Sequence, residues 1–208
     1  MDDIYSLAQQ FKILYRVPPG SWLLIAAVFL AFWSVLMLFL DASVPPEQHR
    51  NTEFLRRARR RGKTATVLNL LLALSGLAVI VMVTFVRQPG AGHRVIFYPL
   101  RVLYGMRAPG DYWQVTVMNL VLCVPFACGL AFLLGRWGRE GLRTPGRARR
   151  GWASALTVLI CLLLSAAAET LQYFTGSGLA EVDDVLMNTL GGALGTVPYT
   201  VLNRRRQN

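Results

Sequence analysis

Five apolar stretches pattern the chain, at residues 21–40, 65–86, 115–134, 152–174 and 185–202. They hold 20, 22, 20, 23 and 18 residues, together half of the 208. An α-helix rises about 1.5 Å per residue, so about 20 residues cross a hydrocarbon core of about 30 Å. Only Glu169, of all the Asp, Glu, Lys and Arg residues, lies inside a stretch. A helix in the core of a soluble protein is usually shorter and keeps a polar face. The pattern predicts an all-α fold, a polytopic membrane bundle of five transmembrane helices. The last stretch is the shortest, and Pro198 predicts a kink within it.

The polar segments between the stretches set the orientation. Taken alternately, the segments on one side carry 16 Lys and Arg and those on the other carry 6. The positive-inside rule makes the first set cytoplasmic, with the N-terminus outside and the C-terminus inside. Trp22, Trp113, Trp137 and Trp152 fall at or near span ends, where indole prefers the interface. Trp33 falls mid-span and is expected to face lipid or a neighbouring helix. Residues 1–20 do not read as a cleavable signal. Ile4, Leu7, Ala8, Phe11, Leu14 and Tyr15 share one helical face, which suggests a short helix lying on the membrane surface, with an unstructured tail as the alternative. The expected organisation is an interfacial tail (1–20), an additional span (21–40), a four-helix domain (65–202) and a basic cytoplasmic tail (203–208).

Composition agrees with this reading and narrows the partners. The net charge is +11, yet only 16% of residues are charged and 54% are hydrophobic. A disordered basic tail would be richer in charge and poorer in apolar residues. A soluble nucleic-acid binder would have to cover too much apolar surface. The basic runs, residues 56–61 with Lys63, then Arg147, Arg149 and Arg150, then 204–206, each lie within a few residues of a stretch. Orientation and attraction to anionic lipid, about 1 kcal/mol per basic residue, account for them, so membrane lipids rather than nucleic acid are the expected partners. Cys123, Cys128 and Cys161 lie inside stretches without a CxxC or His-Cys cluster, and read as buried, inert thiols. No Walker loop, HExxH, GxSxG or dinucleotide fingerprint is present. Neither a metal nor a cofactor is expected.

The sharpest local feature is Glu169. An ionised acid at mid-bilayer costs about 2.5–3.5 kcal/mol even on the insertion scale, so it needs a partner, water or a proton. It lies five residues from Phe174, about 7.5 Å from the predicted outer end of its helix. Ser165, Glu169 and Gln172 share a face at i, i+4 and i+7. Asn119 and Asn188 reach similar depths on two further helices. An interhelical pocket open to the exterior follows; interhelical hydrogen-bond glue, worth about 0.6 kcal/mol per residue, is the plainer alternative. Asp183 and Asp184 stand at the predicted N-terminus of the last span, where the helix dipole favours negative charge and one of them could cap. Asp184, Asn188, Gly191 and Gly195 form a stripe whose small residues permit close helix approach, seating Asp184 and Asn188 against another helix. Residues 94–101 are too apolar for an exposed loop and too short to span, which suggests an interfacial or re-entrant element. Arg94 or Arg101 could neutralise the acids or hold a lipid phosphate, or simply snorkel.

These residues, in this order, resemble the VanZ-like family of bacterial membrane proteins. The resemblance runs through Phe97-Tyr98-Pro99-Leu100, Asn119 with Val124-Pro125-Phe126, the pair Glu169 and Gln172, and Glu181-Val182-Asp183-Asp184 leading into Asn188-Thr189-Leu190-Gly191. It covers about 65–202. The Asn and final Phe usual in the outer-loop motif are not matched, Glu181 replaces an Asp, and Gly178-Leu179-Ala180 stands where an Arg commonly precedes the acidic turn. The founding member is associated with reduced susceptibility to teicoplanin, a lipoglycopeptide. The resemblance therefore implies a cell-envelope role in the bacterial cytoplasmic membrane.

Two functions stay open. In one, Arg94, Tyr98, Arg101, Asn119, Glu169, Gln172, Asp183, Asp184 and Asn188 bind a lipidic or lipoglycopeptide ligand without chemistry, in a protein linked to teicoplanin resistance. In the other, a membrane hydrolase or transferase acts on a lipid-linked cell-wall precursor. Glu169 would then be the general acid/base, and Asp183 and Asp184 would hold a divalent cation or orient water.

Overall fold

Helix outruns the apolar stretches, most of all before the second and after the third. In the computed structural model, which describes residues 19–41, 52–86, 94–97, 112–141, 146–176 and 179–205, six helices follow one another. They are α1 (Pro19–Asp41), α2 (Thr52–Val86), α3 (Tyr112–Gly141), α4 (Gly146–Thr175), α5 (Val182–Gly195) and α6 (Val197–Arg205). Arginine is a good helix former, so the basic run at 56–61 continues the backbone helix of α2 rather than forming a loop. The same holds for α3, which passes residue 134 and runs on to Gly141. Gly176, at φ 64°, ends α4 and turns the chain back towards the bundle.

Among the described residues, four segments are long and apolar enough to cross a membrane: Gly62–Val83, Thr116–Gly138, Gly151–Thr175 and Val182–Leu202. The first predicted stretch also forms a helix, α1, of 23 residues, with a shorter apolar segment at Val28–Met37. The expected five spans thus meet four full-length segments and this shorter one. The surface of the bundle is apolar. Val67, Leu70, Leu71 and Leu74 of α2 and Leu159 and Leu163 of α4 are exposed, while Asn69, Asn119, Thr157 and Gln172 are buried. That distribution suits hydrocarbon as the solvent, with polar side chains satisfied between helices.

The kink expected from Pro198 is a break at Thr196. Proline has no N–H for the Leu194 carbonyl, and its ring crowds that carbonyl. Thr196 instead closes a tighter turn, its N–H donating to the Ala193 carbonyl at 3.1 Å and its hydroxyl to the same oxygen at 2.8 Å. Helix resumes with the Thr200 N–H donating to the Thr196 carbonyl.

Helix α3 is the hub, with α2, α4 and α5 packed on it and α1 alongside. Helix α5 approaches it at backbone distance because of the glycine stripe. A Cβ at Gly191 would run into the Leu120 carbonyl oxygen, and one at Gly195 would stand 2.6 Å from that of Val124. Trp33 faces a neighbouring helix, its indole N–H donating to Asn69 Oδ1 at 3.2 Å. The Asn69 amide donates in turn to the Ala65 carbonyl at 2.7 Å. At one end of the bundle, Arg136 Nη1 donates to the Gly62 carbonyl and the Thr66 hydroxyl. Tyr199 is buried there among Ala131, Leu134 and Ala153. The ends of α2, α3, α4 and α6 nearest the basic runs therefore gather together.

The fold is not purely helical. β1 (Val95–Ile96) pairs in parallel with β2 (Ala180–Glu181), Val95 opposite Ala180 and Ile96 opposite Glu181. The segment expected to be interfacial or re-entrant is, over its described part, this short strand. Of the expected tail at 1–20, residues 1–18 lie outside the described residues and the last two begin α1; residues 206–208 also lie outside.

Candidate functional site

At the opposite end of the bundle, three helices bring their polar residues to one place. α3 supplies Asn119, α4 supplies Ser165, Glu169 and Gln172 from one face, and α5 supplies Asp183, Asp184 and Asn188. All are buried; Asn119, Gln172 and Asp184 retain only 1%, 2% and 3% of their surface. The glycine stripe explains the depth of burial. With no Cβ at Gly191 in the way, α5 sits on the backbone of α3, and Asn188 and Asp184 follow it into the interface.

The contacts within this layer are specific. Asn119 Nδ2 donates to Asp184 Oδ1 across the α3–α5 interface. Asn188 Nδ2 donates to the Ser165 hydroxyl at 2.9 Å, tying α5 to α4. The Glu181 backbone N–H donates to Glu169 Oε2 at 2.9 Å. Burying a carboxylate costs several kcal/mol unless hydrogen bonds satisfy it. Asp183 and Asp184 also lie in the first turn of α5, where the exposed N–H groups of the helix favour negative charge.

That placement corrects the expectation that one aspartate caps the last helix. Helix α5 starts at Val182, three residues early, and its N-cap is Glu181, in extended conformation with no side-chain cap bond. Both aspartates are therefore inside the helix and turned into the protein. The Glu181 N–H, at the mouth of the helix, is satisfied from α4 by Glu169 instead.

The β1–β2 pair closes this end of the layer. The Ala180 N–H donates to the Arg94 carbonyl at 3.1 Å, Ala180 is buried, and Glu181 continues directly onto Glu169. Arg94 contributes its backbone here, while its side chain is exposed. Tyr98 and Arg101 lie outside the described residues.

A small cavity, about 20 Å³, lies just inside the layer. Its polar lining is Asn119, Ser165, Glu169, Gln172 and Asn188, and its apolar lining includes Ile80 and Val83 of α2 and Leu164 of α4. It has room for about one water molecule. Asn188 Oδ1, on its wall, is buried without a hydrogen-bond partner. Among the described residues, no three His, Cys, Asp or Glu side chains gather so as to hold a metal ion, so Asp183 and Asp184 lack a third such donor there. Cys123 and Cys161 border the cavity as buried free thiols; Cys128, also free, is buried elsewhere in the core.

The polar residues that the sequence pattern does not mark include Thr116, Asn69 and Arg136. Thr116 is buried on α3 one turn from Asn119, a spacing that points to it. Asn69 carries the plain signal of a carboxamide inside an apolar stretch. Arg136, counted with a loop, is part of α3 and fastened to α2.

The VanZ/LLP1 family model matches residues 23–203, well over half of the chain. The chain belongs to the VanZ/LLP1 family. The matched range takes in most of α1 as well as the later helices that build the polar layer. No curated protein and no solved structure matches the chain.

Proposed function

We propose that this VanZ-type membrane protein binds the polar end of a lipidic ligand in the layer formed by Asn119, Ser165, Glu169, Gln172, Asp184 and Asn188. The observation that carries the reading is the cavity beside that layer, with an unsatisfied buried acceptor, Asn188 Oδ1, on its wall. A buried carbonyl left without a partner costs about 1–3 kcal/mol, so the site calls for a donor in the cavity, and a ligand group or a water is sized to supply it. The cavity is too small for the bulk of a lipoglycopeptide, so a lipid or one polar group of a lipid-linked precursor is the better fit. The proposed setting is the bacterial cytoplasmic membrane, with five spans, the N-terminus outside, the C-terminus inside and the polar layer in the outer leaflet. The charge distribution along the sequence supports that orientation. A part in glycopeptide resistance is proposed from family membership.

The test uses Glu169→Gln and Asp184→Asn in purified protein reconstituted in lipid, assayed with a lipid-linked cell-wall precursor. Weakening of affinity by about tenfold or more in both variants, without turnover by the wild type, is expected. Turnover by the wild type that both variants lose would instead make the protein an enzyme. Unchanged affinity, turnover and teicoplanin susceptibility would reduce the layer to structural hydrogen bonding.

A further inference from the structure

Access to the cavity is limited by how its walls are sealed. Between α3 and α5 the backbones touch at Gly191 and Gly195, and between α4 and α5 Gly192 lies against Cys161. Between α2 and α3, Gly76 lies against the Phe126 backbone. At the end where α4 terminates, β2 lies over the layer, and the Glu181 N–H is bonded to Glu169. The remaining seam, between α2 and α4, is far less intimate than these. Its lining is apolar, with Ile80 and Val83 on one side and Leu164 and Ala168 on the other. Exposed Val79, Met82 and Leu163 flank it.

Resting on the reading of this layer as a ligand site, we infer that the cavity is reached sideways from the bilayer, through the α2–α4 seam, by an amphiphile whose small polar end is a hydrogen-bond donor. The donor meets Asn188 Oδ1, and the alkyl chain lies along Ile80, Val83 and Leu164. Size selects the class. A cavity of about 20 Å³ takes one water-sized hydroxyl or ammonium, and any phosphate or sugar ring of the same molecule has to stay outside it. Chemistry selects it too, since the unsatisfied atom is an acceptor. Glu169 on the same wall favours a donor over an anion.

The experiment is photolabelling of the full chain in lipid nanodiscs with three sixteen-carbon probes, each with a diazirine near the head: an alcohol, an alkylammonium and a methyl ester. Labelled peptides are mapped by mass spectrometry. The alcohol or the ammonium should label α2 or α4 at the cavity, the stronger of the two naming the head group, and the ester should label it at least about fivefold less. Asn188→Leu should erase that preference. Ala168→Phe and, from the other wall, Val83→Phe should each block labelling, with thermal unfolding measured alongside to verify folding. Equal labelling by the ester overturns the donor requirement. Labelling untouched in both folded seam variants overturns the sideways route. Either result leaves the ligand-site reading standing; failure of every probe to label the cavity in wild-type protein overturns both.

Discussion

Asn119 and Asp184 form the most informative pair in the molecule, because one buried carboxylate depends on a carboxamide from another helix. Hydrogen bonds to charged groups contribute about 1.5–3 kcal/mol. Asn119→Leu should therefore lower stability by that amount in thermal unfolding of the purified protein. The loss should shrink when Asp184→Asn is made on the same chain, and a double-mutant cycle measures the difference. At the other end, Asn69→Leu removes the Trp33 bond and should cost less, about 0.6 kcal/mol, seen as faster hydrogen exchange confined to α1. Asn119, Glu169, Gln172 and Asn188 are legible in the sequence because each is a polar residue at a shared depth in an apolar stretch. Asn69 gives the same local signal, but its partner lies 36 residues away and no periodicity names it.

The helices owe their arrangement to a few small residues. Gly191→Leu should push α5 off the Leu120 carbonyl, with a cost of about 1–3 kcal/mol or more and a loss of folded yield in detergent. Gly151→Ala is the matched control. Nothing lies within 4 Å of a Cβ there, so helix propensity should make the change neutral or stabilising by up to about 1 kcal/mol in the same assay. The small-residue stripe and the effect of Pro198 can be anticipated from sequence, since both follow from local covalent geometry. Helix ends cannot be read as well. Arg-rich turns extend a helix as readily as leucine does, so α2 and α3 outrun their apolar stretches. The β1–β2 pair is less legible still, because two-residue strands leave no alternating pattern and their partners are 85 residues apart.

For the whole molecule, the distribution of the +11 net charge is the basis of the proposed orientation. The segments predicted to be cytoplasmic carry 16 basic and 4 acidic residues, and those predicted outside carry 6 of each. A reporter fused at the C-terminus should therefore be shielded from external protease in spheroplasts, and one at the N-terminus cleaved; the reverse pattern would invert the topology and place the polar layer in the inner leaflet. The central claim is that this layer is a lipid site and not only glue. Native mass spectrometry of the protein from nanodiscs of bacterial lipid tests it most directly, comparing wild type with Asn188→Leu and Glu169→Gln. A retained lipid adduct in the wild type, reduced about tenfold in both variants while their unfolding temperatures stay near wild type, is the predicted result. An adduct equally abundant in all three proteins, or absent from all, contradicts it.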